Sequence, residues 1–272
     1  MQVYKQMNVL TARPSAKDLQ RAVHQLYGIL NADDPCSVGR WLDLAIVEIK
    51  AAWVDCKLPI IVGGTGMYIK ALLEGLAPIP HIPSKVRKKA TQHHKRLGGE
   101  LFRQELAVID SVSAASIAAG DTQRLIRAYE VADSTGCSLS NWQKNHPRRP
   151  PLDALYGVIT LRPEREILYD SVNKRFDLMM ENGALSEVRA LDRMCLDPAL
   201  PAMKAVGVPE LRAAISGEKD LNRAKDEAKR ATRQFAKRQM TWFRNQLETD
   251  LTLYAQYSER LKAEIFSFVD LF

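Results

Sequence analysis

The sequence predicts an α/β architecture, a parallel sheet covered by helices and interrupted by a helical insertion. Three observations carry that reading. First, apolar, β-prone runs occur at VHQLYGIL (23–30), LPIIVGG (58–64) and LYGVITLR (155–162), and each reads as a strand feeding a helix. Second, Val38, Trp41, Leu42, Ala45, Ile46, Ile49 and Trp53 recur at helical spacing behind Ser37, which suits an N-cap. Strand, helix, strand, glycine turn and helix in that order is the βαβ rhythm of a parallel sheet. Third, the character changes between Pro78 and Pro151. Pro78, Pro80 and Pro83 break the chain, and helical patterns follow without a strand. PRRPPLD (147–153) must then be extended, because proline cannot continue a helix. The expected division is a core domain of 1–75 with 153–272 and a helical insertion of 76–152. Further helices are expected over 164–181, 183–195, after Gly207 and over 220–247.

At 272 residues, 46% hydrophobic and 26% charged, the chain has ordinary globular usage and is long enough to bury a core without disulfides or metals. No apolar run approaches the ~18 residues of a membrane span. The opening MQVYKQMNVLTARPS has no apolar stretch of the kind a secretory signal needs. Cys36, Cys56, Cys137 and Cys195 are far apart, with no C-x-x-C pair, which reads as reduced thiols in a cytoplasmic protein. The net charge of +7 is uneven. Residues 81–105 hold seven bases and two acids, and residues 223–244 hold eight bases and two acids. Two basic surfaces point to a polyanionic partner, nucleic acid being the commonest, with solvated lysine-rich faces as the alternative.

Three segments can carry chemistry. In GGTGMYIKALL (63–73) a strand ends at Gly-Gly-Thr-Gly and a helix begins at about Met67. Backbone N–H groups at such a start can hold an anion and Thr65 adds a hydroxyl; the alternative is a tight strand-to-helix turn. In DTQRLIRAYEVADSTG (121–136), Asp121 suits an N-cap and Gly136 a left-handed C-terminal cap. Leu125, Ile126 and Tyr129 face inward there, and Gln123, Arg127 and Glu130 share the opposite face. That face is either an ordinary surface with an Arg–Glu pair or a set of donors for a phosphate or base edge. In AKRATRQFAKRQMTWFR (228–244), Arg230, Arg233, Lys237, Thr241 and Arg244 line one face, and Ala228, Ala231, Phe235 and Trp242 the core face. No H-E-x-x-H and no G-x-S-x-G occurs, so zinc and serine-hydrolase readings have no support.

Together these segments resemble one family, the tRNA dimethylallyltransferases (isopentenyl-diphosphate:tRNA transferases). MQVYKQMNVLTARPS, GGTGMYIKALLEGLAPIP, DTQRLIRAYEVADSTG, MKAVGVPELRAAISGE and ATRQFAKRQMTWFRNQ look like five family blocks in the family's order, and the resemblance fades only after about residue 250. It implies a P-loop-kinase-like parallel α/β core with an inserted helical domain contacting tRNA. It also implies transfer of a dimethylallyl group from dimethylallyl diphosphate to N6 of the adenosine 3′ of the anticodon, with Mg²⁺ assistance. By motif position, Thr65 and Arg87 would be contact points along the tRNA or reactant channel. Gln123, Arg124, Leu125, Ile126 and Arg127 would contact tRNA, as would Lys204, Ala205, Val206, Gly207, Val208 and Pro209. Gln2 belongs to the target-adenosine pocket block, and Arg175 matches an arginine near the diphosphate. The family's nucleotide-binding Gly-Lys-Ser/Thr loop, first strand and catalytic Asp would lie before Met1. No catalytic base and no metal ligand is therefore expected among these residues. Where the family has H-P-N-D, this chain has Ala118, Ala119, Gly120 and Asp121. The expected protein is a cytoplasmic monomer acting on the tRNA anticodon stem-loop away from membranes, with a catalytically inactive RNA-binding remnant as the alternative.

Overall fold

Side-chain caps start many of the helices in this chain, whose residues 1–272 are all described by a computed structural model. Ser37 accepts from the Arg40 N–H, Asp121 from Arg124 and Asp220 from Asn222 and Arg223. Each cap satisfies amides that the first helical turn leaves without partners. The elements run α1 (Ala16–Arg21), α2 (Val38–Val54), α3 (Gly66–Glu74), α4 (Ser84–Ile109), α5 (Ser111–Ser116), α6 (Thr122–Thr135) and α7 (Leu139–Asn145). They continue with β1 (Ile159–Leu161), α8 (Arg165–Glu181), α9 (Ala184–Arg193), α10 (Val208–Ile215), α11 (Leu221–Gln246), β2 (Leu251–Leu253) and α12 (Lys262–Val269). No helix is long and apolar enough to cross a membrane. The chain divides into two compact units, Met1–Leu73 with Leu152–Phe272, and Glu74–Pro151.

The larger unit holds the sheet. Strands β1 and β2 pair in parallel, with Ile159 opposite Leu251, Thr160 opposite Thr252 and Leu161 opposite Leu253. A single parallel bridge joins Tyr4 to Leu30. Of the three expected strands, only 155–162 contributes to this ladder. The run 23–30 is turned by positive φ at Leu26 (66°) and Gly28 (62°), so only Leu30 pairs. The run 58–64 forms no ladder, and Ile60 and Val62 are 70% and 75% exposed. A continuous apolar run signals a strand covered on both faces, but it becomes one only where a neighbour supplies the opposing N–H and C=O row. The core of this unit is Tyr4, Met7, Val188, Leu191, Val208 and Leu211 among others, from the N-terminal segment, α9 and α10. Glu187 of α9 ties that segment down by accepting the N–H groups of Asn8, Val9 and Leu10.

The smaller unit contains helices only. Helix α4 changes direction at Gly98, whose φ of 76° and ψ of 167° interrupt the helical path. Phe102 and Leu106 of α4 then pack on Leu125 and Ala128 of α6, and the Phe102 and Tyr129 rings lie 4.9 Å apart. Asp110 ends α4, caps α5 and reaches α7. It accepts from the Ser113 N–H (3.0 Å) and hydroxyl (2.7 Å), and from the Ser140 N–H (3.1 Å) and hydroxyl (2.7 Å). Burial pushes its pKa up, but these four bonds to the charged form outweigh that and hold it below the ordinary carboxylate value.

The sign of the pH dependence follows. A carboxylate with a lowered native pKa stabilises the unit fully above its unfolded value of about 4, and that contribution is lost as pH falls through the native value. Asp110→Ala is expected to cost about 3 kcal/mol at neutral pH. It should also remove part of the acid limb of a stability-versus-pH curve measured by urea unfolding.

Candidate functional site

The Gly-Gly-Thr-Gly turn is held from behind by α11. Gln239 donates through Nε2 to the Gly64 carbonyl at 2.8 Å. Gly66 lies so close to Trp242 that a Cβ built on it would sit 2.1 Å from the indole Cε3. The turn therefore packs on the Arg-Gln-Met-Thr-Trp segment, and Thr65, where α3 begins, is exposed. Tyr68, one turn into α3, donates its hydroxyl to the Cys36 carbonyl at 3.1 Å, and burial pushes its pKa up to about 12. It is a protonated anchor at neutral pH.

Not all of α11's charge faces solvent. Lys229 pairs with Asp177 at 2.6 Å and Arg233 donates to Asn173 at 2.6 Å, both on α8. Arg230, Lys237 and Arg244 remain exposed. The expected core position of Phe235 is not observed: the residue is 40% exposed, with the Arg238 guanidinium 5.9 Å from its ring. The buried stripe is Ala224, Ala228 and Ala236, whose small side chains let α11 lie close to its neighbours.

Gln2 is half-buried and donates to the Thr11 carbonyl at 3.1 Å, within its own segment. Arg175 is exposed on α8 and lines, with Arg13 and Asn182, an open pocket of about 450 Å³. The segment Lys204–Pro209 is split between core and solvent. Ala205, Gly207 and Val208 are buried, Lys204 and Pro209 are exposed, and Val206 lies between. Gly207 has a φ of 95° and packs under Leu10, whose Cδ2 is 3.1 Å from where a Cβ would be.

In the smaller unit, Gln123 and Arg124 of α6 are exposed, whereas Leu125 and Ile126 point into the core and Arg127 is intermediate. Glu130 departs from the outward face expected of it. It is buried and accepts through one oxygen from Arg127 of its own helix (2.8 Å) and Arg87 of α4 (3.2 Å). Gln239 does not stand out in the sequence, because its partner is remote, and Glu130 stands out only as a neighbour of Arg127 on α6. Charge spacing along α6 reveals Arg127 but not Arg87. No three His, Cys, Asp or Glu side chains gather where they could hold a metal ion. These side chains therefore build no ready-made cage for Mg²⁺.

The packing of the turn has a direct test. Gly66→Ala must displace the Trp242 ring and is expected to cost about 1–3 kcal/mol in thermal or denaturant unfolding. Gly63→Ala, where a Cβ meets nothing within 4 Å, should stay within about 0.5 kcal/mol of wild type.

Comparison with known proteins places this arrangement. Residues 2–246 match the IPP transferase family profile. A tRNA dimethylallyltransferase of Paramagnetospirillum magneticum is 45% identical over 266 residues, covering 98% of this chain and 84% of that protein. One of Bartonella quintana is 46% identical over 261 residues, covering 95% and 87%. Among solved structures, a tRNA isopentenylpyrophosphate transferase from Staphylococcus epidermidis matches at TM-score 0.67 and 30% identity over 99% of this chain and 88% of its own. A eukaryotic dimethylallyltransferase acting on tRNA matches at TM-score 0.82 and 21% identity, over 99% and 69%, a likeness of fold. The chain has the α/β fold of these proteins, and it belongs to the IPP transferase family.

Proposed function

We propose that this chain is a tRNA dimethylallyltransferase, moving a dimethylallyl group from dimethylallyl diphosphate to N6 of the adenosine 3′ of a tRNA anticodon. The observation that carries the reading is the 45% identity with an enzyme of that name along 98% of the chain. The packing of the Gly-Gly-Thr-Gly turn against Gln239 and Trp242 supports it. A tRNA substrate is consistent with a cytoplasmic site of action.

The chemistry asks three things of the protein. The leaving diphosphate needs cations and hydrogen-bond donors, and we assign that role to Arg175, with Arg13 across the same pocket. The target base must leave its stack at a cost of a few kcal/mol, so the backbone around it must be gripped. We assign that grip to Gln123, Arg124 and Arg127 on α6, to Arg87 on α4, and to Lys204, Val206 and Pro209, with Leu125, Ile126, Ala205, Gly207 and Val208 supporting them from the core. Thr65 would offer its exposed hydroxyl to the reactants, and Gln2 would stand near the adenosine. The amine must finally lose a proton to a base; none of the residues assigned here is that base.

A second reading, an RNA-binding chain without transferase activity, draws on the exposed Arg230, Lys237, Arg238 and Arg244 of α11, which would attract a polyanion with or without catalysis. Incubating the chain with an anticodon stem-loop and dimethylallyl diphosphate, then digesting to nucleosides, separates the two. N6-dimethylallyladenosine supports the transferase, retained but unmodified RNA supports the second reading, and no retention overturns both.

Arg124 gives a more local measurement. A cation that meets phosphate adds about one unit to the slope of log K against log salt. Arg124→Ala should therefore weaken binding of every tRNA tested and flatten that slope by about one. An unchanged slope would reduce Arg124 to a partner of Asp121, which lies 3.4 Å away.

A further inference from the structure

Glu130 is 1% exposed, yet it is a carboxylate. Its Oε1 accepts from Arg127 Nη1 at 2.8 Å and from Arg87 Nη1 at 3.2 Å. Its Oε2 is buried and has no hydrogen-bond partner. Burying a carboxylate with one oxygen unpartnered is costly, and an apolar residue of similar volume commonly stabilises a core as well or better. Docking of the two helices does not need the charge either. Phe102 and Leu106 of α4 pack on Leu125 and Ala128 of α6, and Lys89 and Asp133 form a second ion pair across the same helices at 3.5 Å.

The arginines themselves are not buried. Arg87 and Arg127 are 56% and 40% exposed at their side chains. A guanidinium carries five N–H donors in a rigid fork, and each of these lends one nitrogen to Glu130. Two like charges from different helices would otherwise keep apart; a single oxygen between them brings them together. The triad still carries a net charge of +1 by formal count, the sign a phosphodiester requires, and paired guanidinium forks suit its oxygens.

We propose that Glu130 is a positioning residue, whose buried carboxylate draws Arg87 and Arg127 into one two-pronged clamp for a tRNA backbone phosphate. The proposal rests on the tRNA reading above and adds to it a residue that itself touches no RNA.

The test is retention of a tRNA anticodon stem-loop by the full chain, with melting temperature recorded for every variant. Glu130→Gln makes the protein more positive by one charge, so bulk electrostatics alone predicts tighter binding. Loss of positioning predicts binding about tenfold weaker, the size of one lost charge-assisted contact. Glu130→Asp returns the charge on a shorter arm while removing a buried methylene. It should melt below Glu130→Gln but bind RNA more tightly, whereas a purely structural Glu130 would give the same order in both measurements. Wild-type or tighter binding by Glu130→Gln overturns the proposal, as does a shared order. Should Glu130→Gln not fold, Arg87→Ala, Arg127→Ala and their combination decide. A clamp acting as a unit leaves the double variant no weaker than the poorer single one, and costs that multiply overturn it. A wild-type chain that retains no stem-loop overturns the tRNA reading itself, and the clamp with it.

Discussion

Three consecutive amides, those of Asn8, Val9 and Leu10, converge on the Glu187 carboxylate at 2.7, 2.7 and 3.0 Å, and the larger unit is organised around that contact. It holds the N-terminal segment against α9, and so places Tyr4 and Met7 in the core beside Val188 and Leu191. The same device recurs elsewhere in the unit. Gln6 accepts the Ala32 N–H at 2.9 Å, the Tyr4 hydroxyl accepts from Cys36 at 3.1 Å, and Asp250 accepts from Val158 at 2.8 Å. Backbone groups demand partners, and in a unit whose ladder is three residues long, side chains supply many of them.

That economy of partners also shapes the charged surface. The two basic stretches look like uninterrupted fields in the sequence, but much of their charge is answered within the molecule. Lys229 meets Asp177, Arg223 meets Glu227, and Arg103 meets Glu100. What is left exposed on α11 without an acidic partner, namely Arg230, Lys237, Arg238 and Arg244, is a smaller and better defined set. In the helical unit the pairing of Arg87 and Arg127 with one buried carboxylate has a different consequence, because it orients cations rather than consuming them. A count of charges along a sequence cannot tell these two uses apart.

Local chemistry was readable without coordinates. Ser37 and Asp121 as caps, Gly136 as a left-handed helix end, and α8 to α11 close to their expected limits all depend on interactions within a few residues. The turn after residue 62 was legible for the same reason, since glycine and threonine shape their own backbone. The strands were less legible. LPIIVGG has every residue preference of a buried strand, yet it forms no ladder, because pairing belongs to two segments and not to one. Phe235 fails for a related reason: periodicity gives the phase of a helix, but which part of the apolar stripe is covered depends on the neighbour.

The candidate site divides along the same line. The sequence alone determined which residue types are available: a glycine turn with a threonine, a Gln-Arg-Leu-Ile-Arg helix, and a basic helix with an aromatic pair. Only the tertiary structure decided that Trp242 lies against Gly66, that Gln239 reaches the Gly64 carbonyl, and that Arg87 joins Arg127 on a buried Glu130. Residues one or two helical turns apart constrain each other through a backbone geometry common to all proteins. Residues such as Gly64 and Gln239, 175 positions apart, meet only through the packing of this particular core.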